Sequence, residues 1–483
     1  MKRPLLFFVV TAFLLLPGAA AQAPNSQKQT IAGGLTGGQR SLTSSSSDAE
    51  PIEHVIVISV DGLLPASYTD PDSHGLAVPV LRELARQGAW SPGVRVVMPA
   101  VTYPSHTTIA TGVSPRVHGI VANRVFDPTE TSDQAWNWYT EDIRVPTLWD
   151  AARAKGLRTA LISWPVTVGA RANFVLPEFW RGKGTDSVKL LRAISTPGLV
   201  DKVAAQFPNF LAGLTPPETK DEALADVAVH ILETSPPNLL MLHIFEVDHW
   251  QHEKGPWSPE AVRAIENADA QIARLIAAAK KVGAWKSTAL VIVSDHGFAQ
   301  QEKLAHPSVL LREKGLITLD EKNRIRDWKA QVLIHGGSAY VYLKDPADAE
   351  TRRAVMDIFQ PLSGAAGSGV ARVFGHDRIV ELGGDPQAFL VVEAAGGFGF
   401  ETGVTGPYIT PAVKLGLHGF PPDRDDMLAS LLILGPGIAP GKIDGARLVD
   451  IAPTIASWLG LTLEAVEGKP LLLAAKPIQK NKQ

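Results

Sequence analysis

The run Val291-Ile292-Val293-Ser294-Asp295-His296-Gly297 constrains the fold more than any other stretch of the chain. Near-continuous apolar residues describe a strand buried on both faces, the habit of parallel sheets covered by helices. In open α/β sheets, chemistry gathers where such strands end. Two further runs share the design. His54 to Val60 leads into Asp61-Gly62, and Leu239 to Phe245 leads into Glu246-Val247-Asp248-His249-Trp250-Gln251-His252. Three buried strands that end in Asp, or in Asp with His, point to a metal-dependent hydrolase.

The intervening sequence supplies the helices. Val78 to Gln87 reads as a helix ended by Gly88, and Pro146 to Lys155 as one ended by Gly156, leading to a strand at Arg158 to Ser163. Pro216 to Glu233 and Pro259 to Val282 precede the Leu239 and Ala289 strands. Leu428 to Leu434 returns to strand, and Ile451 to Leu459 closes the chain with Gly460 as its stop. This alternation predicts a three-layer α/β/α fold around a mostly parallel central sheet with right-handed crossovers. Residues 300–417, with Gly336-Gly337 and Gly396-Gly397, break the rhythm. They read as an inserted cap with short strands of its own at Ala339 to Leu343 and Ala388 to Glu393.

At the N-terminus, Lys2 and Arg3 precede the apolar Leu5 to Leu16 and the small residues Ala19-Ala20-Ala21, so residues 1–21 read as a signal peptide. Residues 22–50, rich in Ser and Gly, read as a flexible linker. Residues 51–474 form the expected catalytic domain and 475–483 a tail. The expected product is therefore exported, periplasmic or secreted, with no membrane span once the leader is removed. A net charge of −3 without a long basic run gives no electrostatic case for a nucleic-acid-binding surface. The 483 residues contain no cysteine, which excludes disulfides and thiolate ligands and leaves nitrogen and oxygen donors for any metal.

The candidate ligands are Asp61, Asp248, His252, Asp295, His296 and His418, the last in Leu417-His418-Gly419 just before the core resumes. Asp248 and His252 are four residues apart, a spacing that lets both converge on one ion. Carboxylate and imidazole without sulfur suit zinc or another divalent transition ion. Any one of these residues, taken alone, reads more simply as a cap or a core polar group; their recurrence at successive strand ends is the signal. A nucleophile candidate, Thr102, lies in Val101-Thr102-Tyr103-Pro104-Ser105-His106-Thr107. It is placed to open a helix whose N-terminus favours a phosphate. A hydroxyl becomes a useful nucleophile when a bound metal lowers its pKa.

Together these segments resemble the nucleotide pyrophosphatase/phosphodiesterase (type I phosphodiesterase) family of the alkaline phosphatase superfamily. The resemblance runs from about His54 to about Gly460 and includes Leu448-Val449-Asp450-Ile451-Ala452-Pro453-Thr454. It implies an alkaline-phosphatase-like fold and two zinc ions roughly 4 Å apart. Asp61, Asp295, His296 and Thr102 would hold one ion, and Asp248, His252 and His418 the other. Thr102 would form a phospho-threonine intermediate in the hydrolysis of a small-molecule phosphate diester or nucleotide pyrophosphate. One position departs from the family pattern: Ser105 stands where an Asn is usual, three residues after the nucleophile, and its hydroxyl is expected to donate to a phosphoryl oxygen in place of the amide.

Two other functions compete with this one. A phosphomonoesterase or phosphonate hydrolase on the same fold would want a cation beside the phosphoryl oxygens, and Thr102 to Gly112 contains no Lys or Arg. A binding protein on an inactive scaffold would be expected to have lost a ligand or the nucleophile, and none is missing. A sulfatase is disfavoured, because the Thr102 segment lacks the Cys/Ser-x-Pro-x-Arg context of that nucleophile.

Overall fold

The computed structural model describes residues 50–131, 135–179, 181, 185–215 and 217–473. The expected signal peptide, nearly all of the linker and the tail lie outside these residues. No described helix is long and apolar enough to cross a membrane.

An eight-stranded sheet organises the chain. Its order is Gly441–Lys442, Ala89–Val94, Ala429–Leu434, Thr288–Val293, His54–Val60, Leu239–Ile244, Thr159–Ile162, Phe174–Leu176. From Thr288–Val293 to Phe174–Leu176 every pairing is parallel, and Ala429–Leu434 alone runs antiparallel to both its neighbours. The sheet is thus mostly parallel, as the apolar runs predict.

Strand alternation divides the core into two layers. Val55, Val57, Met241, Val291 and Ile433 face one side, where they pack with Ile109, Leu148, Trp149 and Ile455 from the helices Thr102–Thr111, Leu148–Ala154 and Ile451–Leu459. Ile56, Ile58, Leu242, Ile292 and Leu432 face the other. There they meet Leu81, Leu224 and Ile272 from Pro79–Gln87, Pro217–Thr234 and Pro259–Lys281. Both faces are buried, which is why these strands tolerate no polar alternation.

Among the described residues, 299–417 add no strand to this sheet. They form a separate antiparallel sheet in the order Ala330–Ile334, Ser338–Leu343, Leu390–Ala394, Val370–Gly375. The strand Ala299–Ala305 pairs with Gly397–Phe400, Ile409–Pro411 and Gly416–Leu417. That last short pairing delivers His418 to the end of the central sheet.

Candidate metal centre

Three neighbouring strands end at one place. Asp61 follows His54–Val60 directly, and its N–H still donates to Ile244 O at 2.9 Å, so the carboxylate leaves the sheet at its last rung. Gly62 then turns the chain at φ +67°; a Cβ there would lie 3.1 Å from the Phe298 ring. The Gly62 N–H donates to Asp295 Oδ1 at 3.2 Å, which ties the first strand end to the third. From the middle strand the chain enters the helix Glu246–Lys254, where Asp248 and His252 share a face, one turn apart.

Donor atoms from these elements converge. Asp248, His252 and His418 each bring one ligand atom within 4.8 Å of the other two, and so do Asp61, Asp248 and His296. His252 Nε2 lies 3.4 Å and His418 Nε2 3.7 Å from Asp248 Oδ1. His296 Nε2 lies 3.3 Å from Asp61 Oδ1 and 3.1 Å from Asp295 Oδ2. The grouping differs from the expected one in one respect. Asp248 belongs to both sets, whereas Asp295 joins neither and stands beside His296 with one oxygen already held by Gly62.

The residues fit a divalent cation on three physical grounds. First, Asp61 Oδ1, Asp248 Oδ1, Asp295 Oδ2 and His296 Nε2 are all buried and have no hydrogen-bond partner. Buried polar atoms are normally paired, so four orphans converging on one volume point to a missing common partner. Second, each ligand histidine is oriented through its other nitrogen. Nδ1 of His252, His418 and His296 lies 2.9, 3.0 and 3.1 Å from the carbonyls of Gly416, Ala100 and Gly297. A carbonyl accepts only from N–H, so Nε2 is left as a lone pair, the tautomer a metal requires. Third, the carboxylates repel one another. Burial and Asp248 push Asp61 up to about 7, and burial and Asp295 push Asp248 up to about 8. Burial and Asp61 raise Asp295 well above the carboxylate range. The histidines respond in the opposite sense: burial lowers His252 to about 4 and His418 to about 3.

Behind Asp61 stands a support that the sequence did not disclose. His243, inside the Leu239–Ile244 strand, has Nε2 3.0 Å from Asp61 Oδ2 and Nδ1 3.1 Å from Glu178 Oε2. Burial opposes a charge on His243, but the bonds to Asp61 and Glu178 raise its pKa well above the usual imidazole value. The imidazolium fixes one oxygen of Asp61 and turns the other toward His296. His243 thus holds the residue at the end of the neighbouring strand.

Thr102 is the first residue of its helix and is half-buried. His106 braces it, with Nδ1 2.8 Å from Thr102 O and Nε2 2.9 Å from Ser59 Oγ. The expected backbone cradle is largely absent. The Tyr103 N–H donates to Asn123 Oδ1 at 2.8 Å, Pro104 has no N–H, and the Ser105 N–H returns to Val101 O at 3.1 Å. Ser105 is fully buried, does not line the adjoining cavity, and its Oγ has no hydrogen-bond partner. It lies one turn into the helix, on the side packed against protein. Asn123 does line that cavity, a space of about 470 Å³ also bordered by Val101, His252, His335 and His418. Because its Oδ1 is held by Tyr103, its Nδ2 is the donor left for whatever enters.

Tyr103 and Trp164 are fully buried packing groups, and Trp180 lies outside the described residues. Trp136 borders the cavity instead, with the Arg124 guanidinium 5.4 Å from its ring centre. The mouth is acidic. Asp127, Glu130 and Glu401 all line it, and burial together with the other two carboxylates raises Glu130.

Residues 55–370 match the family described as type I phosphodiesterase / nucleotide pyrophosphatase. The chain belongs to that family. It is 25% identical over 256 residues to human ectonucleotide pyrophosphatase/phosphodiesterase family member 1, and 31% identical over 247 residues to an uncharacterized pyrophosphatase/phosphodiesterase of Schizosaccharomyces pombe. Each match takes in 51% of this chain but only 23% and 44% of those relatives. The fold is similar to that of human ectonucleotide pyrophosphatase/phosphodiesterase 5, with a TM-score of 0.62 and 19% identity over 86% of this chain and 97% of that one. The murine counterpart, solved as an inactive variant in complex with AMP, gives a TM-score of 0.60 at 20% identity.

Proposed function

We propose that this family member hydrolyses phosphate diesters or nucleotide pyrophosphates at a two-metal site. The observation that carries the reading is the set of four buried, partnerless ligand atoms beside a helix that begins with a hydroxyl residue. Asp61, Asp295 and His296 with Thr102 would hold one ion, and Asp248, His252 and His418 the other, with Asp248 Oδ1 placed toward both. An all-nitrogen-and-oxygen donor set of carboxylate and imidazole suits zinc or another divalent transition ion. When bound, such ions lower the pKa of an attacking hydroxyl and neutralise charge on the phosphoryl oxygens.

The chain's own residues do the rest. Thr102 Oγ1 forms a bond to phosphorus as the bond to the leaving oxygen breaks, and water then hydrolyses the phospho-threonine. Asn123 Nδ2, and not Ser105 Oγ, donates to a phosphoryl oxygen, because only Asn123 faces the cavity. His106 fixes the carbonyl of Thr102 and His243 fixes Asp61, so nucleophile and ligand are held before substrate arrives.

A diester is favoured over a monoester by the acidic mouth. Asp127, Glu130 and Glu401 disfavour a phosphoryl group with a second negative charge. The murine neighbour's AMP supports a nucleotide as one arm of the substrate. Export to the periplasm or the medium, read from the leader, completes the proposal.

The test is turnover by zinc-loaded chain of a p-nitrophenyl nucleotide diester against p-nitrophenyl phosphate. Diester preference that vanishes in Thr102→Ala, with metal content unchanged, is the expected result. Monoester preference transfers the protein to the phosphatase reading. Turnover that survives Thr102→Ala removes the phospho-threonine step.

A further inference from the structure

A second cavity, of about 1280 Å³, lies against the separate antiparallel sheet. It shares one wall with the metal cavity: Phe126 lines both. Around it stand the rings of Phe126, Trp328, Tyr342 and Phe389. Phe126 packs 4.5 Å from Tyr342 and meets Trp328 edge-on at 5.9 Å, so the aromatic wall is preassembled.

Cations complete the lining. The Arg352 guanidinium sits 4.9 Å from the Phe389 ring centre and donates only to Pro346 O, at 3.1 Å. Arg352 and Arg353 are both exposed, and neither makes an ion pair among the described residues. Arg378, by contrast, is taken up by Glu381 at 2.7 Å and Asp423 at 3.7 Å. Asp377 is the one carboxylate in the lining. The two cavities on either side of Phe126 therefore differ in their balance of charge: Asp127, Glu130 and Glu401 outnumber Arg124 on the metal side, and Arg352, Arg353 and Arg378 outnumber Asp377 on the other.

We propose that this second cavity binds a nucleoside phosphate. Flat rings offer a stacking surface for a base, and unpaired guanidinium forks bind phosphate oxygens two at a time. A neutral or cationic ligand would leave the Arg352–Arg353 pair uncompensated. The same chemistry has two sources, the distal half of an extended substrate or a free nucleotide; the first rests on the function proposed above and the second does not.

AMP titrated calorimetrically into the metal-loaded full-length chain tests the site. In wild type, a component of AMP binding survives His252→Ala but weakens about 10-fold or more in the double variant Arg352→Glu/Arg353→Glu, the loss expected for charge-assisted contacts. Trp328→Ala, which leaves the charge alone, weakens the same component. Identical AMP binding by wild type, the arginine variant and Trp328→Ala overturns the proposal. Failure of the metal-site reading has a different signature: no component depends on His252, while the arginine-dependent one persists. Turnover then separates the sources. A rise in KM in the arginine variant for a dinucleoside polyphosphate, but not for a p-nitrophenyl nucleotide diester, places the distal half of a substrate in the cavity. Unchanged KM for both, with AMP binding still lost, assigns it to a free nucleotide.

Discussion

Replacing His243 with alanine removes the side-chain hydrogen bond that holds Asp61 and exposes how far the site depends on it. Three contacts are lost at once, to Asp61 Oδ2 at 3.0 Å and to Glu178 Oε2 and Ser163 O, each at 3.1 Å. Both carboxylate side chains are nearly inaccessible, at 4% and 3% exposure. Taking one partner from a buried ion pair costs about 3–5 kcal/mol, because the other charge stays behind without compensation. Here Asp61, already raised to about 7, can take up a proton, and Glu178 keeps the Tyr103 hydroxyl at 3.4 Å, so the cost to the metal-stripped chain belongs at the lower end of that range. Freed from His243, Asp61 can rotate Oδ1 away from His296; such supporting contacts are worth about 10–100-fold in metal affinity. The stability loss is read from the urea midpoint of metal-stripped protein, and the affinity loss from competition with a chromogenic chelator. Glu178→Gln is the control, since it keeps an acceptor for His243 and should reduce both effects several-fold. A His243→Ala chain that folds and holds metal as tightly as wild type would refute the claim that His243 positions Asp61.

Other outcomes follow from the same geometry. Asn123→Ala should lower kcat by about 10²–10³, the usual loss on removing one preorganised donor to a reacting oxygen, whereas Ser105→Ala should leave kcat unchanged and stability equal or higher, since its hydroxyl is buried without a partner. Gly419 has φ +84°, and a Cβ there would lie 1.5 Å from His335 O. Gly419→Ala must therefore displace His418, and should cut zinc stoichiometry measured by mass spectrometry of the native protein. His118, buried away from the ligands, accepts from the Ile120 N–H at Nδ1 and contacts Thr108 Oγ1 at 3.1 Å through Nε2. Burial, aided by Arg144, lowers its pKa to about 3. The unfolded chain takes up a proton near pH 6.5 and the folded chain only near 3, so this contribution is complete above 6.5 and is lost as pH falls through that window. Melts of metal-loaded His118→Gln against pH should show a shallower acid slope, by up to about 1.4 kcal/mol per pH unit; an unchanged slope would rule this histidine out.

The strand ends were legible because a strand buried on both faces leaves no other reading of its sequence, and a polar residue directly after it stands out. Asp61, Asp295 and His296 were visible for that reason, and the four-residue spacing of Asp248 and His252 became one face of a helix. His243 was obscured by register. It sits opposite Ser59 in the parallel pairing with the first strand, two residues before Asp61, and no local pattern carries that alignment. Asn123 was obscured by competition for a hydrogen bond. The helix start looked ready to cradle an anion, but Tyr103 gives its N–H to a side chain twenty residues on and Pro104 has none to give. The strand Ala89–Val94 contains Pro92 and Gly93, poor strand residues, and its pairing with Ala429–Leu434 and Gly441–Lys442 overrides that local preference.

The ligand set is graded in depth, and the gradient orders events in time. Asp295 and His296 have no solvent-exposed side-chain surface and Asp61 has 4%, whereas Asp248 and His252 have 20% and 26%. Of the six proposed ligands, only His252 and His418 border the adjoining cavity. An ion among the inner residues can reach that cavity only past the outer ones. Chelation should therefore proceed in two phases, a rapid release and a slow one gated by the first. Reloading should follow the reverse sequence, so a half-stripped enzyme would be a kinetic species with a lifetime of its own.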